Sequence, residues 1–306
     1  MKILAIVVTY FPQSTTLSAL LGSLVRQVDE VLIVDNTPAA EEGAWRAIVL
    51  EGRMPDRVRI VRLGKNKGIG YAINVGIDVA IAEGCSHILL SDQDSLPESG
   101  MVDGLRRAAD EAGNDGKMVA AVGPVYCDEI AATEFPFQVQ KRGRFGYVLQ
   151  HATAACPVLK VQTLITSGCL IDLAAIERAG PMREDFFIDF VDMEWCHRAR
   201  AEGMVLIGTA YARLQHHMGD QRLRVWCLGW RNWNGYGPDR LYYRSRNFMR
   251  LLVLPYVAWQ WKLRACRYWG ATVYAHLIFA KRRRGNFRAL LSGSWDGLRG
   301  RMGPRA

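Results

Sequence analysis

Strand-like runs that alternate with helical patterns constrain the fold of this chain most strongly. A continuous apolar run spans residues 3–8, and further strand-like runs follow at 31–34, 58–63, 87–92 and 118–125. A continuous apolar strand is typical of a parallel sheet that is covered on both faces. Between the runs, apolar residues recur at helical spacing. This alternation predicts an α/β fold with a doubly wound, mostly parallel sheet and right-handed crossovers.

The rest of the chain predicts a less regular half and a helical end. Residues 126–163 show no clear pattern, and we expect a loop or hairpin over the pocket there. The other predicted elements are helices at 41–50 and 99–112, a strand at 164–171, a short helix capped by Asp172 and ended by Gly180, a helix to about 203, a strand at 204–210, and helices at 238–254 and 256–280. We therefore expect a sheet domain at 1–237, with halves that meet near residue 125, and a helical region at 238–306.

Two carboxylates one residue apart, Asp92 and Asp94, end the fourth predicted strand. Ligands bind at the carboxyl ends of strands in such sheets, and side chains two residues apart on a strand point the same way. Two hard oxygen ligands there suit Mg²⁺ or Mn²⁺ that holds a substrate diphosphate. The alternative is a strand-to-helix turn, in which Ser95 caps a helix and Pro97 lies in its first turn. The two interpretations are compatible.

A glycine-rich segment, residues 64–74, follows the third predicted strand and opens a helix. Glycines at such a point let backbone amides and a helix N-terminus approach a phosphate. Gly68 and Gly70 also half-match a dinucleotide fingerprint. However, Ile73 stands where the third glycine belongs, and that fingerprint normally follows the first strand. A nicotinamide oxidoreductase is therefore the weaker interpretation of this segment.

Basic and aromatic residues are concentrated at the C-terminal end of the sequence. Residues 221–306 hold 18 of the Lys and Arg residues but only two acidic residues, and they hold seven of the nine Trp. The net charge of +9 therefore originates in this segment. Basic residues together with aromatic ones indicate a nucleic acid or an anionic membrane surface as partner. A solvated, Arg-rich helical face is an equally good interpretation of the composition alone.

The seven cysteines are scattered without a Cys-x-x-Cys pair. Their odd number and spacing disfavour a disulfide framework and a structural zinc site, and they favour a reducing compartment. The apolar start is too short for a signal sequence and lacks a small-residue cleavage site. No apolar run reaches the roughly 18 residues that a spanning helix needs.

The order of the motifs along the chain is more specific than any single motif. The motifs lie at residues 7–10, 34–36, 66–74, 91–95, 187–195 and 246–247. Together they resemble the family 2 glycosyltransferases of the GT-A fold, and most closely the rhamnosyltransferases that extend bacterial surface polysaccharides. The resemblance covers about residues 1–250 and implies a GT-A sheet domain with a C-terminal helical extension.

The resemblance implies a site for a nucleotide-sugar donor. Asp35 would accept a hydrogen bond from the pyrimidine base, and Asp92 would face the ribose or the sugar. Asp94 would bind the Mg²⁺ or Mn²⁺ that bridges the diphosphate, and His216 would close this metal site, with His217 in reserve. The other residues expected to line the nucleotide-sugar site are Thr9, Tyr10, Asn36, Asn66, Gly68, Asn74 and Gln93.

The resemblance also implies a catalytic base and an acceptor side. Asp192 matches the carboxylate that takes a proton from the incoming hydroxyl. The expected lining of the sugar or acceptor pocket is Ser167, Gly168, Glu194, Trp195 and Arg246.

One departure from the family pattern affects the choice of base. The base is usually preceded by Glu, but Val191 takes that place here. Asp189 and Glu194 are acidic and near, so either could replace Asp192 as the base. Asp192 and Glu194 could also be acids that only stabilise a helix N-terminus.

The resemblance and the motifs together predict a cytoplasmic, inverting, metal-dependent glycosyltransferase that uses dTDP-L-rhamnose. The expected acceptor is a lipid-linked saccharide of surface-polysaccharide synthesis, O-antigen or similar, at the anionic inner face of the cell membrane. We expect no nucleic-acid partner and leave homo-oligomerisation open. The alternatives are a transferase of another NDP-hexose, the oxidoreductase, and a non-catalytic nucleotide- or nucleic-acid-binding protein that uses the basic tail.

Overall fold

The computed structural model describes residues 1–39, 57–113, 116–128, 133–140, 147–215, 221–226 and 229–305. The helix predicted at 41–50 lies outside these residues, as do His216 and His217. The described strands form one large sheet and one separate two-stranded hairpin.

Four parallel strands build the first half of the large sheet, in the order β3-β2-β1-β4. They are β1 (Ile3–Thr9), β2 (Glu30–Asp35), β3 (Val58–Arg62) and β4 (His87–Asp92). The helices that pack on them are α1 (Ser14–Leu24) and α2 (Ile69–Ala82). β1 and β2 are apolar almost throughout because both faces of these strands are buried. The predicted α/β class is confirmed in this half.

The second half of the sheet contains antiparallel strands beside parallel ones. β11 (Cys169–Asp172) runs antiparallel between β4 and β6 (Val119–Asp128). β12 (Val205–Gln215) pairs in parallel with β6 and antiparallel with β10. The remaining strands are β7 (Thr133–Glu134), β8 (Phe137–Val139), β9 (Val148–Gln150) and β10 (Val158–Val161). These short strands lie in the stretch without a clear pattern, because so few residues carry little periodicity.

The turn after β4 differs from the predicted helix cap. Ser95 is buried, and Leu96–Pro97 forms a short strand, β5, that pairs antiparallel with the end of β12. The next helix, α3 (Met101–Gly113), begins only after this strand. Ser95 therefore does not cap a helix, because the chain that follows it first pairs with β12.

Two further helices in this half agree with the sequence prediction. Asp172 caps α4 (Leu173–Ala179) by accepting a hydrogen bond from the Ala174 N–H at 2.9 Å, and Gly180 ends the helix. Helix α5 (Val191–Ala201) begins at the acidic segment that carries Asp192.

The chain after β12 adds a hairpin and, from residue 238 on, the three helices of the C-terminal region. Its elements are β13 (Gln221–Trp226), β14 (Trp230–Gly235), α6 (Pro238–Val253), α7 (Trp259–Ile278) and α8 (Arg283–Arg299). The sequence analysis missed the hairpin and α8. Helices α6 and α8 pack very closely, since a Cβ on Gly297 would lie 2.2 Å from the Arg246 carbonyl oxygen. A Cβ on Gly293 would lie 2.4 Å from the Tyr242 carbonyl oxygen.

Helix α7 packs against the sheet domain through its aromatic side. Trp261 and Trp269 are buried, and the Trp261 Nε1–H donates to Gln138 Oε1 at 3.0 Å. The Trp261 ring also meets the buried His197 ring edge-on at 4.5 Å. None of the helices in the described part of the chain combines the length and apolar character that a membrane crossing requires.

We expect Gly297→Ala to destabilise the protein, because the new methyl group overlaps the α6 backbone. Overpacking of this kind typically costs about 1–3 kcal/mol. Gly270→Ala is the matched control, since Gly270 is exposed in α7 with no atom near the added Cβ. That change should raise stability by up to about 1 kcal/mol. Urea unfolding of both variants measures the difference, and equal effects would contradict the close packing.

Candidate active site

The Asp35 carboxylate lies at the end of β2 in a fixed orientation. Its Oδ1 accepts hydrogen bonds from Thr9 Oγ1 at 2.9 Å, from the Thr37 N–H at 3.1 Å and from Thr37 Oγ1 at 2.7 Å. Both Asp35 and Thr9 are buried. Thr9, at the end of β1, therefore orients the carboxylate. Thr37, in the turn after β2, does the same, and the sequence analysis did not single it out.

Asn36 ties the end of β2 to the glycine-rich loop. Its Nδ2 donates to the Gly68 carbonyl oxygen at 3.2 Å, and its Oδ1 accepts from the Lys67 N–H at 3.1 Å. Asn66 Oδ1 accepts from the Gly68 N–H at 3.0 Å within the same loop. The predicted residues Asn36, Asn66 and Gly68 are thus brought together beside Asp35.

The two glycines of this loop make room for another part of the chain. Gly68 has φ +89°, and a Cβ there would lie 2.6 Å from the Phe187 carbonyl oxygen. A Cβ on Gly70 would lie 2.7 Å from the Arg183 carbonyl oxygen. Close packing against residues 183–187 explains both glycines, so they give no support to a dinucleotide fingerprint.

The Gln93 side chain forms two hydrogen bonds with the backbone of the exposed turn after β1. Its Oε1 accepts from the Tyr10 N–H at 2.8 Å, and its Nε2 donates to the Tyr10 carbonyl oxygen at 3.1 Å. The Tyr10 ring is 45% exposed, so it is available to a ligand at this edge. Gln93 acts here by positioning Tyr10.

The Ser167 side chain supports the Asp92–Ser95 turn through hydrogen bonds. The Asp92 N–H donates to Ser167 Oγ at 3.2 Å, and the hydroxyls of Ser95 and Ser167 are 2.8 Å apart. Ser167 is fully buried, and Gly168, with φ +70°, packs against Pro124. Asp92 is half-buried and Asp94 is exposed. The two carboxylates therefore lie at the carboxyl end of β4, on a turn that Ser167 supports.

A metal ion fits the chemistry of this turn. Asp92 and Asp94 offer the hard oxygen ligands that Mg²⁺ and Mn²⁺ prefer. Among the described residues, no three His, Cys, Asp or Glu side chains converge on one point. The predicted third ligand, His216 or His217, lies outside those residues.

Asp192 lies in the first turn of α5, close to the Asp92–Asp94 turn. Its Oδ2 accepts from the Thr166 N–H at 3.2 Å, and its Oδ1 accepts from the Met193 N–H at 2.7 Å. Burial raises the pKa of Asp192 to about 6; the Met193 hydrogen bond opposes the shift, and the nearby charge of Asp92 adds to it. At neutral pH the carboxylate is ionised but more basic than an ordinary aspartate.

The loop before α5 has a strained backbone. Phe187, Asp189 and Phe190 all have positive φ, at 65°, 61° and 65°. Left-handed conformations of such residues cost roughly 1–2 kcal/mol each. Asn247 of α6 offsets this cost, since its Nδ2 donates to the carbonyl oxygens of Phe186, Ile188 and Asp189 at 2.9, 2.7 and 2.9 Å. This single amide fixes the path of the chain into Asp192.

Asp189 is paired with two arginines of α6. Its carboxylate contacts Arg240 at 3.0 and 3.2 Å and Arg244 at 2.7 Å. Burial raises the pKa of Asp189, but Arg244 and Arg240 outweigh it, so the pKa lies below its ordinary value. A carboxylate so stabilised is a poor proton acceptor, which makes Asp189 an anchor of the loop.

Glu194 is also engaged inside the protein. It is fully buried, it pairs with Arg198 at 2.9 Å, and it accepts a hydrogen bond from the Tyr256 hydroxyl of the C-terminal region. Among the described residues, Asp192 is therefore the acid of this segment whose carboxylate has no arginine partner; it accepts hydrogen bonds from two backbone N–H groups.

Three other predicted site residues have polar atoms that are hydrogen-bonded within the protein. Trp195 is buried and donates to the Gly180 carbonyl oxygen at 3.1 Å. Arg246 is buried and donates to the backbone oxygens of Asp185, Phe186 and Gly303. Asn74, predicted on the nucleotide side, uses its amide on Met182 and Glu184. The structure gives these three residues supporting positions, because their polar atoms are already used within the protein.

The sequence analysis did not single out Arg240 and Arg244, and it named Asn247 only as part of the motif at 246–247, without a role in holding the loop. Arg240, Arg244 and Asn247 recur at four- and three-residue spacing, which places them on one helical face. That spacing was a usable signal, but it also fits an ordinary solvated helix.

Comparison with known proteins identifies the relatives of this chain. The model of the family described as Glycosyl transferase family 2 matches residues 5–153. The dTDP-rhamnosyl transferase RfbF of Shigella flexneri is 30% identical over 254 residues, which cover 82% of this chain and 80% of that protein.

Solved structures agree on the fold. A crystal structure of GalNAc-T7 with UDP, GalNAc and Mn²⁺ superimposes with a TM-score of 0.54 and 13% identity, covering 88% of this chain and 54% of that chain. The crystal structure of S. aureus TarS gives a TM-score of 0.50 and 15% identity, covering 92% of this chain and 44% of that chain. This chain spans about half the length of the two solved proteins. The predicted GT-A architecture is confirmed.

We expect the two aspartates to respond in opposite directions to replacement by asparagine. Asp189→Asn removes the buried carboxylate that pairs with Arg240 and Arg244 and should destabilise the protein by on the order of 3 kcal/mol. Asp192→Asn removes a carboxylate whose ionised form is disfavoured in the folded state, so at pH 7.5 it should stabilise by on the order of 1–2 kcal/mol.

The pH dependence of these effects provides the check. The stabilisation by Asp192→Asn should shrink as the pH falls below about 6 and vanish below about 4, where the wild-type carboxyl group is protonated in both states. Urea unfolding at pH 7.5 and pH 5 measures this. A stabilisation that grows on acidification, or the same sign for both variants, would contradict the assigned environments.

Proposed function

Because this chain belongs to the family 2 glycosyltransferases, we propose that it transfers L-rhamnose from dTDP-L-rhamnose to a lipid-linked saccharide, with inversion. The relation to the Shigella flexneri enzyme supports the choice of donor. The single observation that carries the proposed mechanism is the Asp192 carboxylate, half-buried, with its pKa raised to about 6, near the Asp92 carboxylate at the end of β4.

The donor binds along the edge formed by β1, β2 and β4. In this proposal the second oxygen of Asp35, Oδ2, accepts a hydrogen bond from the pyrimidine, because its Oδ1 is already used by Thr9 and Thr37. The exposed Tyr10 ring packs on the nucleotide. Asp92 contacts the ribose or the sugar. The loop at Asn66–Gly68 borders the same space.

Asp94 and Asp92 are the residues of the described chain that would hold the divalent ion, Mg²⁺ or Mn²⁺. When bound, such an ion neutralises charge on the nucleoside diphosphate leaving group. His216 or His217 is the proposed third ligand.

Asp192 takes the proton from the acceptor hydroxyl. The hydroxyl oxygen then forms a bond to the anomeric carbon while the bond from that carbon to the diphosphate oxygen breaks. The electron pair leaves with the dTDP group, and the proton remains on the Asp192 carboxylate. One base and one direct displacement invert the anomeric centre. A pKa near the working pH makes the carboxylate both ionised and basic enough for this role.

The acceptor is proposed to be part of a bacterial surface polysaccharide under construction on a lipid carrier. The enzyme would then work in the cytoplasm, peripherally at the anionic inner face of the cell membrane. The second candidate is transfer of another hexose from its nucleotide. Assay of a panel of nucleotide-sugars, with Mg²⁺ and with Mn²⁺, distinguishes the two.

We expect Asp192→Asn to lower the transfer rate by on the order of 10²–10⁴-fold, because the isosteric amide cannot accept the proton. Donor affinity should be nearly unchanged. In the wild-type enzyme, kcat/KM should rise about tenfold per pH unit below pH 6 and level off above it, since the ionised carboxylate is the active form. In Glu194→Gln and Asp189→Asn, kcat/KM should still rise with pH below pH 6 as it does in the wild type. Normal transfer by Asp192→Asn would contradict the assignment.

Asp94→Ala should abolish the metal-dependent part of donor binding while the fold survives, because Asp94 is exposed and supports no described contact. Titration calorimetry of dTDP-L-rhamnose with and without Mg²⁺ or Mn²⁺ measures the effect. The matched control is Asp103→Ala, an exposed acid on α3. Unchanged metal-dependent affinity in Asp94→Ala would refute the metal-ligand role.

A further inference from the structure

Helix α8 presents a row of large apolar side chains to the outside. Phe287, Leu291, Trp295 and Leu298 are 54%, 61%, 54% and 54% exposed. Their spacing of four, four and three residues places them on one helical stripe. Single exposed apolar residues are ordinary, but four large ones in a continuous row indicate an interaction surface.

Basic side chains occupy the same outward arc of α8. Arg284, Arg288 and Arg299 are exposed. Together with the apolar row they span about 120° of the helix circumference. The Arg299 guanidinium lies 4.2 Å above the Trp295 ring. The acidic residue of this helix, Asp296, points away from the arc, since it accepts a hydrogen bond from the Tyr242 hydroxyl at 2.8 Å. The outward arc therefore combines apolar and cationic groups and contains no acid.

The opposite side of α8 is fixed to the rest of the protein. Gly293 and Gly297 pack against the α6 backbone, and Ser245 Oγ donates to the Leu290 carbonyl oxygen at 2.9 Å. Just after the helix, the Gly303 N–H donates to the Asp185 carbonyl oxygen at 2.7 Å. The row cannot turn inward without breaking this packing, and the end of α8 is tied to the loop that precedes Asp192.

We infer that the outward face of α8, together with the basic cluster at residues 281–284, docks on an anionic lipid surface. An amphipathic helix with Trp, Phe and Leu beside Arg is suited to the boundary between headgroups and acyl chains. Basic residues near an anionic surface add to binding and make it salt-dependent. A symmetric dimer through this face would place arginine against arginine, which disfavours a second copy of the chain as the occupant.

This face is separate from the aromatic side of α7. Trp261, Ala265 and Trp269 of α7 are buried against the rest of the protein. Lipid docking through α8 rests on the proposed location at the anionic membrane face and names the surface that would make this contact, but it needs neither donor nor acceptor.

Flotation of the full-length protein with vesicles tests the inference. Wild-type protein should float with vesicles that contain phosphatidylglycerol, should not float with pure phosphatidylcholine, and should bind less at high salt. Leu291→Ser/Trp295→Ser should lower the partition coefficient at least tenfold, and Arg284→Glu/Arg288→Glu should lower it comparably. The matched control, Ile81→Ser/Leu149→Ser, removes two apolar residues that are 58% and 55% exposed elsewhere, and it should float like the wild type.

Equal flotation of Leu291→Ser/Trp295→Ser and the wild type would overturn the inference, as would absence of wild-type binding to the anionic vesicles. Light scattering separates a protein interface from a lipid surface. If the apolar double substitution dissociates an oligomer and the wild type does not bind vesicles, the face joins copies of the chain. Donor binding in solution, measured on the same variants, is independent of these outcomes and tests the proposed function separately.

Discussion

The loop at residues 185–190 connects the parts of this enzyme, and α6 holds it in place. Its three left-handed residues are strained, and the Asn247 amide and the Asp189 pair with Arg240 and Arg244 stabilise them. From this loop the Phe187 carbonyl oxygen accepts the Ile69 N–H at 2.7 Å, at the start of α2. The same loop leads directly into α5 and Asp192. The C-terminal helices thus set the geometry of both the glycine-rich loop and Asp192, although neither belongs to them.

Three acids within six residues have different environments and therefore different roles. Asp189 is matched by two arginines and anchors the loop, while Glu194 is matched by Arg198 and Tyr256 and links α5 to the C-terminal region. Asp192 receives two backbone N–H groups but lies near the like charge of Asp92. Burial without a cation raises its pKa, which costs stability and supplies basicity. The acid whose folded environment suits it least is the one that we assign to chemistry.

The sequence predicted the parts of the fold that have long periodic patterns. The parallel strands, α2 and the Asp172 cap are correct because apolar runs and capping residues are local signals. The short antiparallel strands and the turn at Ser95 were missed because long-range pairing decides them. The candidate residues Thr9, Asp35 and Asp92 end three neighbouring parallel strands, β1, β2 and β4. However, the sequence could not show that the polar atoms of Arg246 and Asn74 are used within the protein, because their hydrogen-bond partners lie far along the chain.

We propose that α6, through the loop, positions Asp192 as the base. The most direct test is the single-turnover rate of sugar transfer by Asn247→Ala, a change that touches neither donor nor base. Misplacing a catalytic group by about 1 Å can cost on the order of 10²-fold in rate. We expect a loss of that order in a folded variant whose donor affinity is close to that of the wild type. An unchanged transfer rate in folded Asn247→Ala would contradict the claim.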